Sequence, residues 1–290
     1  MERMPAVDVV PGPHTELGEA PYYDPLTDRV LWVDLYQHHV HTCDLQTGTT
    51  ATTTVPERVA FVFPTATPGV LVAGSQQGVA RLTDTLDEPR LLIDHLDPDT
   101  ALNDGKADAR GRLWVGTLSL SRTPWKCAFY RVDLDGSVQT VFTDVGLSNG
   151  LGWSPDGSTF YYVDSHRQDL QAFDFDLDAG ELANGRTIAT IPPEDGMPDG
   201  LAVDAEGGIW IALYGGSVVR RFAPDGHFDR DLRLPLTYPT SVAFGPGGRL
   251  FVTSARSLLD ETGRAAEPLA GRLLAADVGV AGAPVHLPAV

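Results

Sequence analysis

The sequence contains little of what a cross-linked or nucleic-acid-binding protein needs. Its two cysteines, Cys43 and Cys127, supply neither a disulfide framework nor a Cys-x-x-Cys metal motif. Lys and Arg number 21 against 39 Asp and Glu, they are not clustered, and the net charge is −18. This balance argues against nucleic acid and anionic membrane surfaces as partners.

Long apolar runs are also missing. No window approaches the roughly 20 apolar residues of a membrane-spanning helix, and residues 1–14 contain no apolar core of signal-peptide length. We therefore expect a cytoplasmic protein with reduced thiols. The 30 Gly and 22 Pro residues, and the absence of an extended 3.6-residue apolar period, argue against long helices. Only 257–264 suggests a short helical turn.

A short sequence motif, which we call the phrase, occurs six times along the chain. Each copy is a small turn, usually with Gly or Pro and a charged residue, followed by an apolar run. The copies are centred near Trp32, Val72, Trp114, Tyr161, Trp210 and Phe251. Steps of roughly 40 to 50 residues are typical of a propeller with one blade per step. The sequence thus predicts an all-β fold: one six-bladed β-propeller domain over 1–290, with four antiparallel strands per blade.

The outer strand of the last blade has two possible sources. Segments with alternating apolar residues follow each phrase and predict third and fourth strands. Only five candidate outer strands lie between blades, and the last of the five is 228–235. The sixth could come from the N-terminal AVDVV or from the C-terminal PVHLPAV. The N-terminal choice would close the ring without a covalent link.

The starts of the inner strands carry the chemically interesting residues. Counting eleven to thirteen residues back from the blade centres gives, for blades one and three to six, Glu19, Asn103, Asn149, Asp199 and Thr240. Blade two gives Val59 with Arg58 beside it. In a propeller, equivalent positions of the blades form a ring around one end of the channel. We therefore expect two carboxylates and two amides to meet there.

Such a set of oxygens indicates a cation site. Holding carboxylates and amides together is costly without a cation, and oxygen ligands suit a hard divalent ion such as Ca²⁺, Mg²⁺ or Mn²⁺. Zn²⁺ or Fe²⁺ is less well matched, because no His or Cys occupies these positions. Taken singly, each Asn or Asp near a Gly is typical of a turn. The recurrence in one register favours a shared site, and Glu19 precedes Ala20-Pro21, which is no such turn.

These segments resemble the gluconolactonase/regucalcin (senescence marker protein) family of six-bladed propellers. The matching stretches include LGEAPYYDP, NDGKADARGRLWVGT, SNGLGWSPDGSTFYYVDS and DGLAVDAEGGIWIALYGG, within 15–256. The resemblance implies hydrolysis of an aldono-1,4- or 1,5-lactone to the aldonic acid, with one divalent ion (Ca²⁺, Mg²⁺, Mn²⁺ or Zn²⁺). It implies Glu19, Asn149 and Asp199 as metal ligands, and Asn103 as a contact for substrate or a water. Asp199 is also our candidate general base.

Two departures from the family pattern concern the substrate. Ala101 stands where animal members carry Arg. Residues 118–121, which include no Glu, stand where those members carry one. Arg58, Trp125 and Lys126 are candidate replacement contacts. An organophosphate or non-sugar ester hydrolase therefore stays an alternative, and a non-catalytic metal- or protein-binding propeller is another. The oligomeric state is not readable from the sequence.

Other features of the sequence argue against a histidine metal cluster, a covalent serine mechanism and a phosphate-binding loop. His38, His39 and His41 fall in the outer part of blade one, away from the inner-strand starts. We expect them on a solvated hairpin rather than in a metal cluster. A covalent serine mechanism is disfavoured, and the Gly-rich stretches do not fit a phosphate-binding loop.

Overall fold

The computed structural model describes residues 6–67, 69–76, 78–83, 90–91 and 96–289. Over this part of the chain, six four-stranded antiparallel sheets surround a central channel. Each inner strand contacts the inner strands of the two neighbouring sheets, so the sheets form a closed ring. The predicted six-bladed β-propeller with four antiparallel strands per blade is confirmed.

The four strands of each blade follow one another from the channel outward. Blades one and two contain β2 (Gly18–Asp24), β3 (Arg29–Asp34), β4 (His39–Asp44) and β5 (Thr50–Thr54), then β6 (Val59–Pro64), β7 (Val70–Ser75), β8 (Val79–Thr83) and β9 (Arg90–Leu91). Blades three and four contain β10 (Thr100–Ala107), β11 (Leu113–Ser119), β12 (Cys127–Val132) and β13 (Val138–Val145), then β14 (Ser148–Trp153), β15 (Thr159–Asp164), β16 (Asp169–Asp176) and β17 (Glu181–Thr190). Blades five and six contain β18 (Met197–Val203), β19 (Ile209–Tyr214), β20 (Val218–Phe222) and β21 (Phe228–Arg233), then β22 (Pro239–Phe244), β23 (Arg249–Ser254), β24 (Leu274–Asp277) and β1 (Val7–Val9).

The N-terminal strand completes the last blade. β1 pairs antiparallel with β24, with Val7 opposite Ala276 and Val9 opposite Leu274. This settles the choice that the sequence left open, because the sixth outer strand comes from AVDVV. Part of the predicted outer strand of blade two, residues 92–94, lies outside the described residues.

The C-terminal segment lies across the far end of the channel. Gly282 bridges to Asp204 of blade five, and the His286 carbonyl accepts a hydrogen bond from Tyr22 of blade one. The Ala289 N–H then donates to the Gly111 carbonyl of blade three. Contacts with three alternate blades place this segment over one end of the ring and leave the other end uncovered by it.

The repeated Asp-and-Gly phrase forms the turn before the second strand of a blade. In blade five, the Asp204 carboxylate accepts hydrogen bonds from the Gly208 N–H and from the Trp210 indole, both at 2.8 Å. In blade three, the Asp108 carboxylate likewise accepts from the Trp114 indole at 2.9 Å. One aspartate therefore closes the turn and anchors the central aromatic residue of its blade.

The core lies between neighbouring blades, as the blade period of the aromatic residues predicts. Trp114 of blade three packs against Phe160 and Phe175 of blade four, with ring centroids 5.7 Å away in both cases. Trp32, Trp114, Trp210 and Phe251 are all at most 1% exposed. These rings bury the apolar faces of two sheets at once, which holds the ring of blades rigid.

Helices contribute little to the described structure. The short helix α1 (Glu261–Ala266) lies in the loop between β23 and β24, close to the turn expected at 257–264. Asp260 caps it by accepting a hydrogen bond from Gly263 N. No helix in the described ranges has the length and apolar character needed to cross a bilayer.

The expectation of a solvated histidine hairpin is wrong for His41. Its side chain is 1% exposed, whereas His38 and His39 are partly exposed. His41 lies on β4 with its ring centroid 5.2 Å from that of Trp32, and its Nδ1 is 2.9 Å from Thr52 Oγ1. Its position on the strand turns His41 towards the interior packing of blade one.

Candidate metal centre

A β-bulge interrupts every inner strand near its start. In blades one to six the register shifts occur between Glu19 and Tyr22, Val59 and Phe61, Leu102 and Gly105, Ser148 and Leu151, Pro198 and Leu201, and Pro239 and Val242. A bulge breaks the regular alternation of side chains and re-aims the residues inside it. The residues predicted at the inner-strand starts thus lie at or beside six equivalent irregularities, at the end of the channel that we call the mouth.

The glycines after Asn149 and Asp199 serve close packing of the inner strands. A Cβ on Gly150 would lie 2.6 Å from the Leu201 nitrogen, and one on Gly200 would lie 2.1 Å from Ser241 Oγ. Both glycines are therefore required by the approach of a neighbouring strand. Asn149 and Asp199 lie within β14 and β18, not in turns between elements.

A chain of hydrogen bonds fixes the two amides. Asn103 Nδ2 donates to Asn149 Oδ1 at 2.9 Å. Asn149 Nδ2 donates to Ser165 Oγ at 2.7 Å, and Ser165 Oγ donates to the Pro198 carbonyl at 2.6 Å. Asn149 is 5% exposed. Its oxygen is therefore held in one direction by partners on both sides, and the chain ends beside Asp199.

Arg58 continues this chain towards blade one. Its Nη1 donates to the Leu102 carbonyl at 2.7 Å, and its Nη2 lies 3.4 Å from Asn103 Oδ1. Burial lowers the pKa of Arg58, while the nearby Glu19 carboxylate acts in the opposite direction. The guanidinium thus orients Asn103 and adds positive charge next to Glu19.

Glu19 and Asp199 are carboxylates that destabilise each other's charge. Burial raises the pKa of Glu19 to about 8, and the Asp104 charge adds to the rise. Burial also raises the pKa of Asp199 well above its ordinary value, with further contributions from Glu19 and Asp104. Backbone N–H groups at Ala20 and Gly200 offset only part of these shifts. Without a cation, burial therefore disfavours the ionised form of both carboxyl groups.

Asp104 and Lys106 are site residues that sequence reasoning missed. Asp104 is the second residue of the blade-three bulge, and burial raises its pKa. Burial lowers the pKa of Lys106, whose Nζ donates to the Leu201 carbonyl. Both line a cavity of about 220 Å³ that reaches Val285 and His286 of the C-terminal segment, and its lining does not include the proposed metal ligands. No sequence signal marked Asp104, because the bulge that places it beside Asn103 is visible only in the strand register.

The remaining candidates lie at the rim or inside the packing. Lys126 Nζ is 3.2 Å from Asp97 Oδ1 and 3.1 Å from Asp99 Oδ2. Trp125 is 45% exposed, with Arg167 over its ring at 4.8 Å. Thr240 is fully buried, and its hydroxyl donates to the Gly18 carbonyl at 2.6 Å. None of these three is linked to the chain of hydrogen bonds between Arg58 and Pro198 in the described structure.

Ser148 has the sequence context of a nucleophile but not the structure. Residues 146–150 match the Gly-x-Ser-x-Gly pattern, which in hydrolases marks a sharp turn between a strand and a helix. In this protein Ser148 begins the inner strand β14 and is completely buried. A substrate therefore has no access to its hydroxyl group.

The donor set fits a hard divalent cation. Glu19 and Asp199 offer carboxylate oxygens whose mutual repulsion a cation would relieve, and Asn149 offers an amide oxygen in a fixed orientation. Oxygen-only sets of this kind suit Ca²⁺ and related ions. No cluster of three or more His, Cys, Asp or Glu suited to a metal occurs among the described residues. A site at the mouth accordingly needs the Asn149 amide beside the two carboxylates.

The fold and the mouth together define a six-bladed β-propeller with buried oxygen donors at one end of its channel. Residues 17–256 match the family model described as the SMP-30/gluconolactonase/LRE-like region. The chain belongs to this family. The resemblance that the sequence motifs suggested is therefore confirmed.

Relatives match over nearly the whole chain. Regucalcin of Danio rerio is 32% identical over 279 residues, covering 93% of this chain and 94% of the relative. YvrE of Bacillus subtilis (strain 168), whose name provisionally assigns it as a sugar lactone lactonase, is 30% identical, with 92% of each chain covered. The crystal structure of a calcium-binding protein, regucalcin from Agrobacterium tumefaciens, superposes with a TM-score of 0.90 at 27% identity, covering 98% of this chain and 97% of that one.

Proposed function

We propose that this protein is a divalent-metal-dependent lactonase that hydrolyses an aldono-1,4- or 1,5-lactone to the aldonic acid. The observation that supports the proposal most is the buried Asp199 carboxyl group, whose pKa is raised by burial and by the nearby Glu19 charge, with the Asn149 amide bonded through Ser165 to the adjacent Pro198 carbonyl. Membership of the gluconolactonase family supports it. So do the names of two relatives, one provisionally named a sugar lactone lactonase and one named a calcium-binding protein.

Glu19, Asn149 and Asp199 would hold the ion. When bound, a divalent ion supplies electrophilic polarisation of the lactone carbonyl and stabilises negative charge on its oxygen. Asn103 is not assigned as a ligand, because its oxygen faces Arg58 and its nitrogen faces Asn149. Its role is to orient Asn149 and to contact the substrate or a water.

Asp199 is the proposed general base. It takes a proton from the attacking water, whose oxygen adds to the carbonyl carbon. The ring carbon–oxygen bond then breaks, and the ring oxygen leaves as a hydroxyl group after taking up a proton. Burial and the charges of Glu19 and Asp104 raise the pKa of Asp199. This rise offsets the loss of basicity that a carboxylate suffers when it binds a cation.

The experiment is a substrate panel assayed after chelation and metal restoration. Pentono- and hexonolactones, simple esters and paraoxon are incubated with the protein and Ca²⁺, Mg²⁺, Mn²⁺ or Zn²⁺, and acid release is followed with a pH indicator. We expect sugar lactones to be hydrolysed, with activity lost on chelation and regained with metal. Turnover of paraoxon or simple esters alone would make the protein a non-sugar hydrolase. No turnover of any compound would favour a binding propeller.

A further inference from the structure

Three tyrosines stand at the mouth beside the proposed metal site. Tyr214 is the last residue of β19, opposite Met197, and its strand partner β18 carries Asp199 two residues further on. Tyr238 directly precedes the inner strand β22. Tyr36 lies in the turn after β3, where its N–H donates to Asp34. All three strand ends lie at the mouth end of their blades.

Two of the three rings are in contact, and Tyr36 lies close enough to affect the charge of Tyr214. The rings of Tyr214 and Tyr238 are 4.9 Å apart between centroids and inclined at 44°. Burial raises the pKa of Tyr214, and the charge of Asp199 and the neighbouring Tyr36, Tyr238 and Glu19 add to the rise. Tyr214 therefore lies close to the carboxylates of the site, and its phenol hydroxyl can donate a hydrogen bond. Tyr36 also lies close enough to Arg58 to influence its charge.

The hydroxyl groups of these tyrosines have no protein partner in the described structure. None of the three is among the buried polar atoms that lack a partner, so water or a ligand can reach them. Tyr36 is 60% exposed. By contrast, the cation of Lys126 already bonds Asp97 and Asp99, and the face of Trp125 is covered by Arg167. The hydroxyl groups of Tyr214, Tyr36 and Tyr238 are therefore available to a ligand, whereas the Lys126 cation is already paired.

We propose that Tyr214, with Tyr36 and Tyr238, forms the wall of the mouth that recognises hydroxyl groups on the substrate. A phenol both donates and accepts, and its ring packs against the apolar face of a sugar ring. A site that bonds substrate hydroxyls discriminates against analogues that lack them. The inference rests on the proposed lactonase function and adds to it the residues that would distinguish a polyhydroxylated lactone from a bare one.

The test compares Tyr214→Phe with the wild-type protein on two six-membered lactones. D-glucono-1,5-lactone carries the hydroxyl groups, and δ-valerolactone has the same ring without them. We expect the KM for the sugar lactone to rise about 10-fold, the equivalent of one lost hydrogen bond. The KM for δ-valerolactone and both kcat values should stay unchanged. Tyr130→Phe, a tyrosine on β12 of blade three, is the matched control and should change neither KM.

A binding measurement separates this inference from the proposed function. D-gluconate, which is not turned over, is titrated into the metal-loaded protein by calorimetry, and Tyr214→Phe should weaken its binding about 10-fold. Equal KM changes for both lactones, or unchanged gluconate binding in Tyr214→Phe and Tyr238→Phe, would overturn the tyrosine wall and leave the lactonase proposal standing. Weakened gluconate binding without lactone turnover would support the wall and refute the lactonase.

Discussion

At the scale of single residues, Asn103 and Asp199 have different parts in the site although both sit in a bulge. Asn103 uses both amide atoms on protein partners, with its oxygen facing Arg58 and its nitrogen bonded to Asn149. The Asp199 carboxylate has only a backbone N–H to offset the nearby charges of Glu19 and Asp104. The structure thus supports a division between a residue that orients a ligand and a residue that binds the ion.

Two substitutions test this division. We predict that Asp199→Ala abolishes lactone hydrolysis and weakens metal binding by at least about 10-fold, because a carboxylate ligand and the general base are lost together. Asn103→Ala should lower turnover about 10- to 100-fold, with a smaller effect on metal affinity. Calorimetric metal titration and steady-state kinetics measure both, with the exposed Asp135→Ala as control. Near wild-type activity in Asp199→Ala with metal retained would refute both of its roles.

The raised pKa values predict a link between metal binding and protons. Burial and Asp104 raise the pKa of Glu19 to about 8, so this carboxyl group is mostly protonated at pH 7 before the ion binds. A ligand must be ionised, so binding releases protons and affinity increases as the pH rises towards 8. Calorimetry in buffers of different ionisation enthalpy should show net proton release at pH 7. Glu19→Gln should release fewer protons, and release equal to wild type would contradict the assignment of Glu19.

At the scale of secondary-structure elements, the bulges decide what the mouth presents. Asn149 and Asp199 could be placed from sequence, because the blade period fixes how far each inner strand starts before its central aromatic. Ser165, Asp104 and the tyrosines could not, because their roles depend on side-chain directions at bulges and strand ends. The period fixes where a strand begins, but it does not determine where a side chain in an irregular backbone points.

His41 on β4 gives a prediction about stability. Burial lowers its pKa to about 4, and its Nε2 has no acceptor among the described residues for the second proton. Between about pH 6.5 and pH 4 the unfolded chain binds this proton and the folded chain does not, so stability is lost as the pH falls through that window. We expect the free energy of unfolding to fall by about 1 to 2 kcal/mol across this window. Each unit of pKa difference is worth about 1.4 kcal/mol, and solvent screening reduces the full value.

Urea unfolding of His41→Gln and wild type at pH 7.5 and pH 5 measures this contribution. The wild-type protein should lose more free energy of unfolding between the two pH values than the variant does. His227→Gln, an 84% exposed histidine side chain, is the control and should behave as wild type. An identical loss in wild type and His41→Gln would show that the ring accepts a proton within the fold.

At the scale of the whole molecule, the ring depends on contacts between distant parts of the chain. β1 from the N-terminal region forms the outer strand of blade six, so strands from both ends of the chain share one sheet. The sequence predicted six blades from the spacing of its phrases. It could not select the closing strand, because AVDVV and PVHLPAV have similar apolar character and the choice depends on geometry across the ring.

Removal of the closing strand should destabilise the ring. Deletion of residues 1–9 takes away the pairing with β24, and we predict a loss of roughly 2 to 4 kcal/mol in the free energy of unfolding, from a few backbone hydrogen bonds and Val7 packing. The exposed edge of β24 should also promote self-association. Urea unfolding and sedimentation measure the two effects. Asp8→Ala, which keeps the backbone pairing, is the control, and an unchanged urea midpoint in the deletion variant would contradict this role of β1.

The central claim is that oxygens from three blades bind one divalent ion at the mouth. A crystal structure of the protein soaked with Mn²⁺, with an anomalous difference map, tests it most directly. We predict one strong peak within coordinating distance of Glu19, Asn149 and Asp199, which should be absent from crystals of Asp199→Ala. A map without a peak at the mouth, or with these three side chains turned away from the bound ion, would contradict the account.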